Sequence, residues 1–311
     1  MSGIVWIDAE NMTVDNTVLH KLTELIHKSD AISGLSEGMR VALKVNTSEE
    51  GYEYGLRPSF IKVVAEIVNN VSVKRSVVCD GQKLVDYWKQ LKGNTFLATA
   101  SVKGYSSETL GGHFVINGGF SGDEGDLFPC GHANSEVGGV EVGTAVCRSD
   151  ALWVLSHVTL HPLFGLSGAL LNGGFECLSG RARTRLLRGA NPYIFNGQRP
   201  REQDIHEFQH RALESHLGVV ASVPGRVFYI NYLWDVTPQP EYYPYSAQPV
   251  SANLGFMASH DPVALDAATF SLLAKQGAKC DMVKNIDFDA VLKEAENLKI
   301  GHINQTVVRS S

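Results

Sequence analysis

Residues 154–184 read VLSHVTLHPLFGLSGALLNGGFECLSGRART, and the fold turns on this stretch. The apolar run at 151–155 that leads into it is short enough to be a buried strand. His157 and His161 follow the run. A loop with Gly165, Ser167 and Gly168 comes next, and then Ala169, Leu170 and Leu171 as the start of a helix. A strand that ends in a glycine-rich loop and feeds a helix is where α/β proteins place their ligands. Backbone N–H groups at such a helix start are unpaired, and the helix dipole favours an anion there. Side chains able to bind or react crowd the same segment: His161, Ser167, Asn172, Cys177 and Arg181.

Working outward, strands and helices alternate. Residues 4–7 read as a first strand, and 18–28 as a helix with Val18, Leu19, Leu22, Leu25 and Ile26 along one side. A second strand at 41–45 runs into Asn46. Arg57-Pro58 opens a helix whose apolar spacing continues through 60–68, since proline fits the first helical turn. Residues 73–78 read as a third strand that ends in Cys79-Asp80-Gly81. Beyond the central stretch, 204–220 reads as a helix, 227–232 and 254–258 as strands, and 291–298 as a last helix. Asp261 is placed to cap a helix that Pro262 begins. The pattern predicts an α/β fold with a mainly parallel, Rossmann-like sheet and helices on both faces. The chain is read as one α/β domain, or as two lobes of about 1–150 and 151–311 with the crevice at 154–184. Residues 104–139 are rich in glycine and predict only short strands or loops. The basic stretch 186–201 is read as a loop, and the Pro- and Tyr-rich loop around Tyr242, Tyr243 and Tyr245 as a cover over the site.

Composition narrows the function. A net charge of −6 with no basic run argues against a nucleic-acid partner. Nothing approaches the length of apolar sequence that spans a bilayer, so no membrane segment is expected. The start of the chain lacks the basic-then-apolar pattern of a secretion signal. Five scattered cysteines with no Cys-x-x-Cys pair fit reduced thiols and a cytoplasmic location. A small-molecule substrate is the expected partner, and assembly into a homo-oligomer is left open.

Several pieces then occur together in a telling order. They are Ala42-Leu43-Lys44-Val45-Asn46, Leu56-Arg57-Pro58, Val78-Cys79-Asp80, the central stretch, and Asp261-Pro262-Val263-Ala264-Leu265-Asp266. From about Val41 onward the chain resembles the family called domain of unknown function 362, an iron–sulfur-associated group. Members of that family typically read Ser-His-Phe-Lys-Gly-His and then Gly-Phe-Gly-Gly-Ala-Leu-Lys-Asn. Here both histidines remain as His157 and His161, while Thr159 and Leu171 stand where the two lysines would be. The resemblance implies cysteine-rich segments that would hold a cluster, but the corresponding places, 185–201 and 237–248, contain no cysteine. A four-thiolate cluster is therefore not expected, because its ligands are missing. The central stretch is also distantly similar to that of lactate racemase, a nickel-pincer enzyme. That likeness implies a proton-transfer histidine at His161. It also implies a cofactor-tethering lysine at Leu171, which has no amine to offer.

These readings converge on an enzyme of small-molecule biosynthesis that moves protons on an anionic substrate, of isomerase, cyclase or lyase type, with no cofactor expected. His161 is the leading acid–base group, since histidine titrates near neutrality. His157, Asp266 and Cys177 are further catalytic candidates. The plainer readings are a loop-fixing histidine for His161, a structural histidine for His157 and a buried small thiol for Cys177, while Asp266, just over a turn beyond Asp261, could face the same crevice. Lys44, Asn46, Arg57 and Asp80 lie at or after strand ends, and with Gly165, Ser167, Gly168, Asn172, Arg181 and Tyr243 they are expected to bind substrate. Ser167 lacks the second glycine of a nucleophile elbow. One alternative is a zinc-dependent hydrolase, or one using another divalent metal. His206-Glu207-Phe208-Gln209-His210 matches His-Glu-x-x-His, and His216 falls where an extended motif puts a third ligand. Leu213, however, replaces the helix-breaking glycine of that motif. A second alternative is a non-catalytic ligand-binding or scaffold protein descended from a redox family.

Overall fold

The computed structural model describes residues 3–84, 91–131, 135–190, 200–278, 283 and 285–310. The first half of the chain contributes strands β1 (Ile4–Ile7), β2 (Val41–Lys44), β3 (Val77–Gly81), β4 (His113–Asn117), β5 (Gly125–Pro129) and β6 (Gly139–Gly143). The second half contributes β7 (Ala151–His157), β8 (Thr159–His161), β9 (Gly165–Ser167), β10 (Val227–Leu233), β11 (Gly255–Ser259) and β12 (Val307–Ser310). The helices are α1 (Val18–Lys28), α2 (Pro58–Ser72), α3 (Gly93–Val102), α4 (Ser107–Leu110) and α5 (Thr144–Cys147), then α6 (Ala169–Gly173), α7 (Gly180–Leu187), α8 (Glu202–Ser222), α9 (Pro262–Lys275) and α10 (Phe288–Asn297).

One eight-stranded sheet, in the order β12-β1-β11-β10-β7-β2-β3-β4, takes strands from both halves of the chain. Its strands run in one direction except β11, which is antiparallel to both neighbours. β7 lies in the middle and is buried along its whole length. Its residues alternate between two cores. Leu152 and Val154 pack with α6, α8 and α9, while Trp153 and Leu155 pack with α1, α2 and α3. A continuous apolar strand is what a sheet covered on both faces requires. The mainly parallel α/β architecture is the one the sequence predicts.

Local chemistry sets the ends of the elements. Thr17 caps α1 by accepting from the His20 N–H. Asp261 caps α9, accepting from Val263 and Ala264 at 2.9 and 3.0 Å, with Pro262 following. The third strand starts at Val77 rather than at 73, because α2 runs on to Ser72 and Val73 takes the left-handed conformation (φ 53°) that closes it. The glycine-rich 104–139 region supplies short elements, one of which, β4, is an edge of the main sheet. β12 pairs parallel with β1 at the other edge. Most of the basic stretch 186–201 lies outside the described residues. Among the described residues no helix is long and apolar enough to cross a membrane.

Candidate functional site

From β2 the sheet grows outward through β3 and β4, whereas β7 and then β10 are added on the other side of β2. A reversal of this kind opens a crevice beyond the carboxyl ends of the strands. Lys44 ends β2 and is fully buried. Its Nζ donates to Val45 O (2.7 Å), Asn46 Oδ1 (2.7 Å) and Asp80 Oδ1 (3.0 Å), which uses all its hydrogens. Asp80, in β3, also accepts from Gly81 N, Thr47 N, Thr47 Oγ1 and Lys83 Nζ at 2.7–3.0 Å. Burial pushes the Asp80 carboxyl up, but the Lys44 and Lys83 ammonium groups and the Thr47 N–H outweigh it and hold the group well below the usual carboxylate range. Burial likewise opposes the charge on Lys44, and Asp80 together with Cys177, Glu176 and Cys79 outweighs it, so its pKa is raised.

In front of this cluster lies a cavity of about 10 Å³, room for about one water. Its walls include Lys83, His161, Glu176, Arg183, Glu241 and Tyr242. Asn46 and Ser167 also line it, and both donate to Asn172 Oδ1, at 2.8 and 3.5 Å. His161 ends β8. Its Nδ1 accepts from the N–H groups of Leu163 (3.2 Å) and Phe164 (3.1 Å). Two donors on Nδ1 assign the hydrogen to Nε2, which donates to the Tyr242 hydroxyl at 3.0 Å. Burial lowers the imidazole pKa to about 3, so it is neutral near pH 7. In this closed arrangement neither ring nitrogen can take a proton, and the ring instead holds Tyr242 in place.

His157, at the end of β7, is buried as well. Its Nε2 donates towards Trp234 O (2.9 Å) and Asp235 O (3.2 Å). Its Nδ1 lies 3.1 Å from Glu241 Oε1 without hydrogen-bond alignment. Burial lowers the pKa of this imidazole, but the Glu241 carboxylate and the two carbonyls reverse that, leaving it raised. The pair ties the 237–250 loop to the end of the central strand. The loop is held further by Glu49 N to Glu241 O (2.9 Å) and Leu56 N to Glu241 Oε1 (3.2 Å).

Other expected site residues lie elsewhere. The anion-binding helix start is already taken. Asp266 accepts from Ala169 N (2.8 Å) and Leu170 N (2.9 Å), and from Asn231 Nδ2 (2.8 Å). Asp266 is therefore an internal cap for α6, and the N–H groups expected for substrate serve the fold. Gly168 is where this carboxylate comes closest: a Cβ there would lie 2.3 Å from Asp266 Oδ1. Replacing Gly168 with alanine should cost about 1–3 kcal/mol of stability, read from urea melts; an unchanged midpoint would show that the cap relaxes freely. Gly165 has φ 92° at the β8–β9 turn and packs against Phe288 of α10. Cys177 is fully buried and donates to Asn172 O (3.2 Å), and burial pushes its thiol up to about 12 despite Lys44, which does not suit a nucleophile. Arg57 is half-exposed and pairs with Asp235 at 2.7 Å. Arg181 is exposed and bonds to Asp123. Tyr243 stacks behind Tyr242, with centroids 5.1 Å apart.

The cations that reach the crevice are Lys83 and Arg183, which the strand-end rule does not find. Arg183 has a legible signal, since it shares a helical face with the buried Leu186 and Leu187 while Arg181, two residues away, points outward. Glu176 bonds Arg183 Nη1 at 3.1 Å. Lys83 and Glu241 come from loops without motif, and only the tertiary fold brings them together.

The histidines of the zinc alternative do not converge. His206 is exposed, and His210 pairs with Glu294 and Glu214. His216 is fully buried, with Nδ1 on Leu170 O (3.0 Å) and Nε2 on the Tyr229 hydroxyl (2.8 Å). α8 is unbroken through Leu213, so the third histidine turns into the core. Among the described residues no group of three or more histidine, cysteine or acidic side chains could hold a metal. The residues also do not fit the groups that the family resemblance implies. Described cysteines 79, 130, 147 and 177 are free and separate, and Leu171 presents hydrocarbon to the crevice.

Residues 41–271 match the family model described as Domain of unknown function (DUF362). No curated protein matches the chain. Among solved structures, a Thermotoga maritima protein aligns with a TM-score of 0.43 at 14% identity, covering 86% of this chain and 60% of that one. The lactate racemase apoprotein from Thermoanaerobacterium thermosaccharolyticum aligns at 0.38 and 13% identity, covering 68% and 48%. The chain thus spans less than two thirds of the length of either.

Proposed function

This chain belongs to the DUF362 family, and from that footing we propose that it is a small-molecule enzyme that moves protons on an anionic substrate, in the crevice beyond β2, β3 and β7. The observation that carries the reading is the crevice itself. Two buried cations, Lys83 and Arg183, face a tyrosine hydroxyl whose position a neutral histidine fixes. Lys83 and Arg183 would bind the anionic group, Arg183 through its planar fork. Tyr242 would donate or take the proton, with His161 Nε2–H stabilising the phenolate that forms when it donates. The cavity admits about one water, so the 237–250 loop must lift for substrate to enter. An isomerase, cyclase or lyase step in biosynthesis fits this equipment, because each needs proton transfer and orientation.

Solvent exchange tests the reading. The protein is incubated in D2O with a mixture of small organic acids and phosphate monoesters, and deuterium uptake or conversion is followed by mass spectrometry. Wild type should label or convert one component, and Tyr242→Phe should do so at least about a hundredfold more slowly while staying folded. Binding without labelling or conversion would favour the non-catalytic ligand-binding protein instead. Equal rates in wild type and Tyr242→Phe would remove the tyrosine from the chemistry.

A further inference from the structure

Burying a polar atom without a partner is expensive, so such atoms around a cavity describe what the cavity is built to receive. Three lie here. Glu241 Oε2 is a buried acceptor with no partner, and Arg183 Nε and Asn172 Nδ2 are buried donors with none. Glu241 and Arg183 line the crevice, and Asn172 sits directly behind Asn46 and Ser167, which do. The other oxygen of Glu241 is already occupied, by the Leu56 N–H and the neighbouring His157 ring. Its free oxygen therefore has no structural task that the fold explains. The crevice also carries both signs of charge, with Lys83 and Arg183 as cations, Glu176 bonded to Arg183, and Glu241 as a carboxylate with one unpartnered oxygen.

We propose that the crevice takes a small monoanion that also carries a neutral O–H or N–H group, with Lys83 and Arg183 on the anionic end and Glu241 Oε2 accepting from the donor. This rests on the acid–base reading only for the location of the site. The donor is neutral rather than an ammonium because the His157 ring, whose Nε2 faces two carbonyls, already lies 3.1 Å from Glu241 and is the fold's own source of positive charge for it when protonated. A second cation would meet that ring as well as the carboxylate. A hydroxyl or amide N–H satisfies the oxygen without adding charge. An anion lacking any donor leaves the oxygen buried and unpaired, or traps a water beside it.

Three probes on one skeleton separate these cases: propanoate, 3-hydroxypropanoate and 3-aminopropanoate, titrated by calorimetry against wild type, Arg183→Met and Glu241→Gln. Wild type should bind 3-hydroxypropanoate at least about tenfold more tightly than either of the others, the discrimination expected of one hydrogen bond to a charged group. Arg183→Met should lose all three. Glu241→Gln should shrink the preference to below about threefold, since the carboxylate acceptor is gone. If Glu241→Gln fails to fold, His157→Gln serves instead; removing the imidazole beside the carboxylate should shift preference towards 3-aminopropanoate. Equal binding of propanoate and 3-hydroxypropanoate would mean that water alone satisfies Oε2; the donor inference would then fall while the anion site stands. Tightest binding of 3-aminopropanoate by wild type would overturn the neutral donor. No Arg183-dependent binding of any probe would overturn the anion site and this inference with it.

Discussion

Asp80→Asn should destabilise the protein by about 3–5 kcal/mol, among the largest losses expected from one side chain. The carboxylate accepts from two ammonium groups, Lys44 and Lys83, and from Thr47 and Gly81, all at 3.0 Å or less. Asparagine keeps one acceptor oxygen and turns an NH2 towards donors. Lys44 is fully buried and its remaining partners are neutral, so a charge would be stranded in a dry environment. The size of the effect comes from that stranded charge rather than from the value of any one bond. Changing both partners tests this account. Lys44→Met combined with Asp80→Asn should recover the part of the loss due to the stranded Lys44 charge, while the part due to weakened acceptance from Lys83, Thr47 and Gly81 remains. Urea unfolding of the single and double variants reads the effect. A loss below about 1 kcal/mol for Asp80→Asn would mean that water or a shifted proton rescues the lysine.

The same residues show what a sequence can and cannot reveal. α1 and β1 are legible to their ends, because period and caps are local properties of contiguous residues. Lys44, Asn46 and Asp80 were legible as strand-end residues, and the fold brings them into one hydrogen-bonded cluster. Arg57 and Arg181 illustrate the limit. Both fall where the sequence pattern places ligand-binding residues, yet one sits over Phe60 and Trp234 at the surface and the other bonds to Asp123. The helix start at Ala169 shows another limit. Its N–H groups do bind an anion, but the anion is Asp266, 97 residues further along the chain for Ala169. A local rule identified the demand, and only the packing of α9 against α6 decides who meets it. Lys83, Arg183 and Glu241 share no motif, so their meeting at one cavity is a property of the sheet order and not of any segment.

Acidification from pH 6.5 to about 4.5 should remove about 3 kcal/mol of stability, and two buried histidines set the slope. Burial lowers the pKa of His161 to about 3, and burial, partly opposed by the Leu170 carbonyl, lowers that of His216 to about 4. In the unfolded chain both titrate near 6.5, so between the two values the unfolded state binds protons that the native state refuses. Stability contributed by these groups is present above pH 6.5 and falls with acid, by up to about 1.4 kcal/mol per pH unit for each. Asp266 acts in the opposite sense. Burial raises its pKa to about 6 against the hydrogen bonds from Leu170, Asn231 and Ala169, so from pH 6 downward the native state gains a proton first. That returns up to about 2 kcal/mol of the roughly 5 that the histidines remove by pH 4.5. Asp80 and its lysines enter later. Its lowered pKa confers stability above the ordinary carboxylate range, near pH 4, and that share is lost only as pH falls further. His157 does not contribute to this slope, because a raised histidine is protonated in both states below 6.5 and loses its stabilising charge only as pH rises through its folded value. Urea melts at half-unit steps of pH should therefore show a rising stability from 4.5 to 6.5, and His216→Asn should flatten it by about one proton's worth. A wild-type profile that is level across this range would mean that water reaches the two imidazoles, and the dry environment argued for His161 would have to be given up.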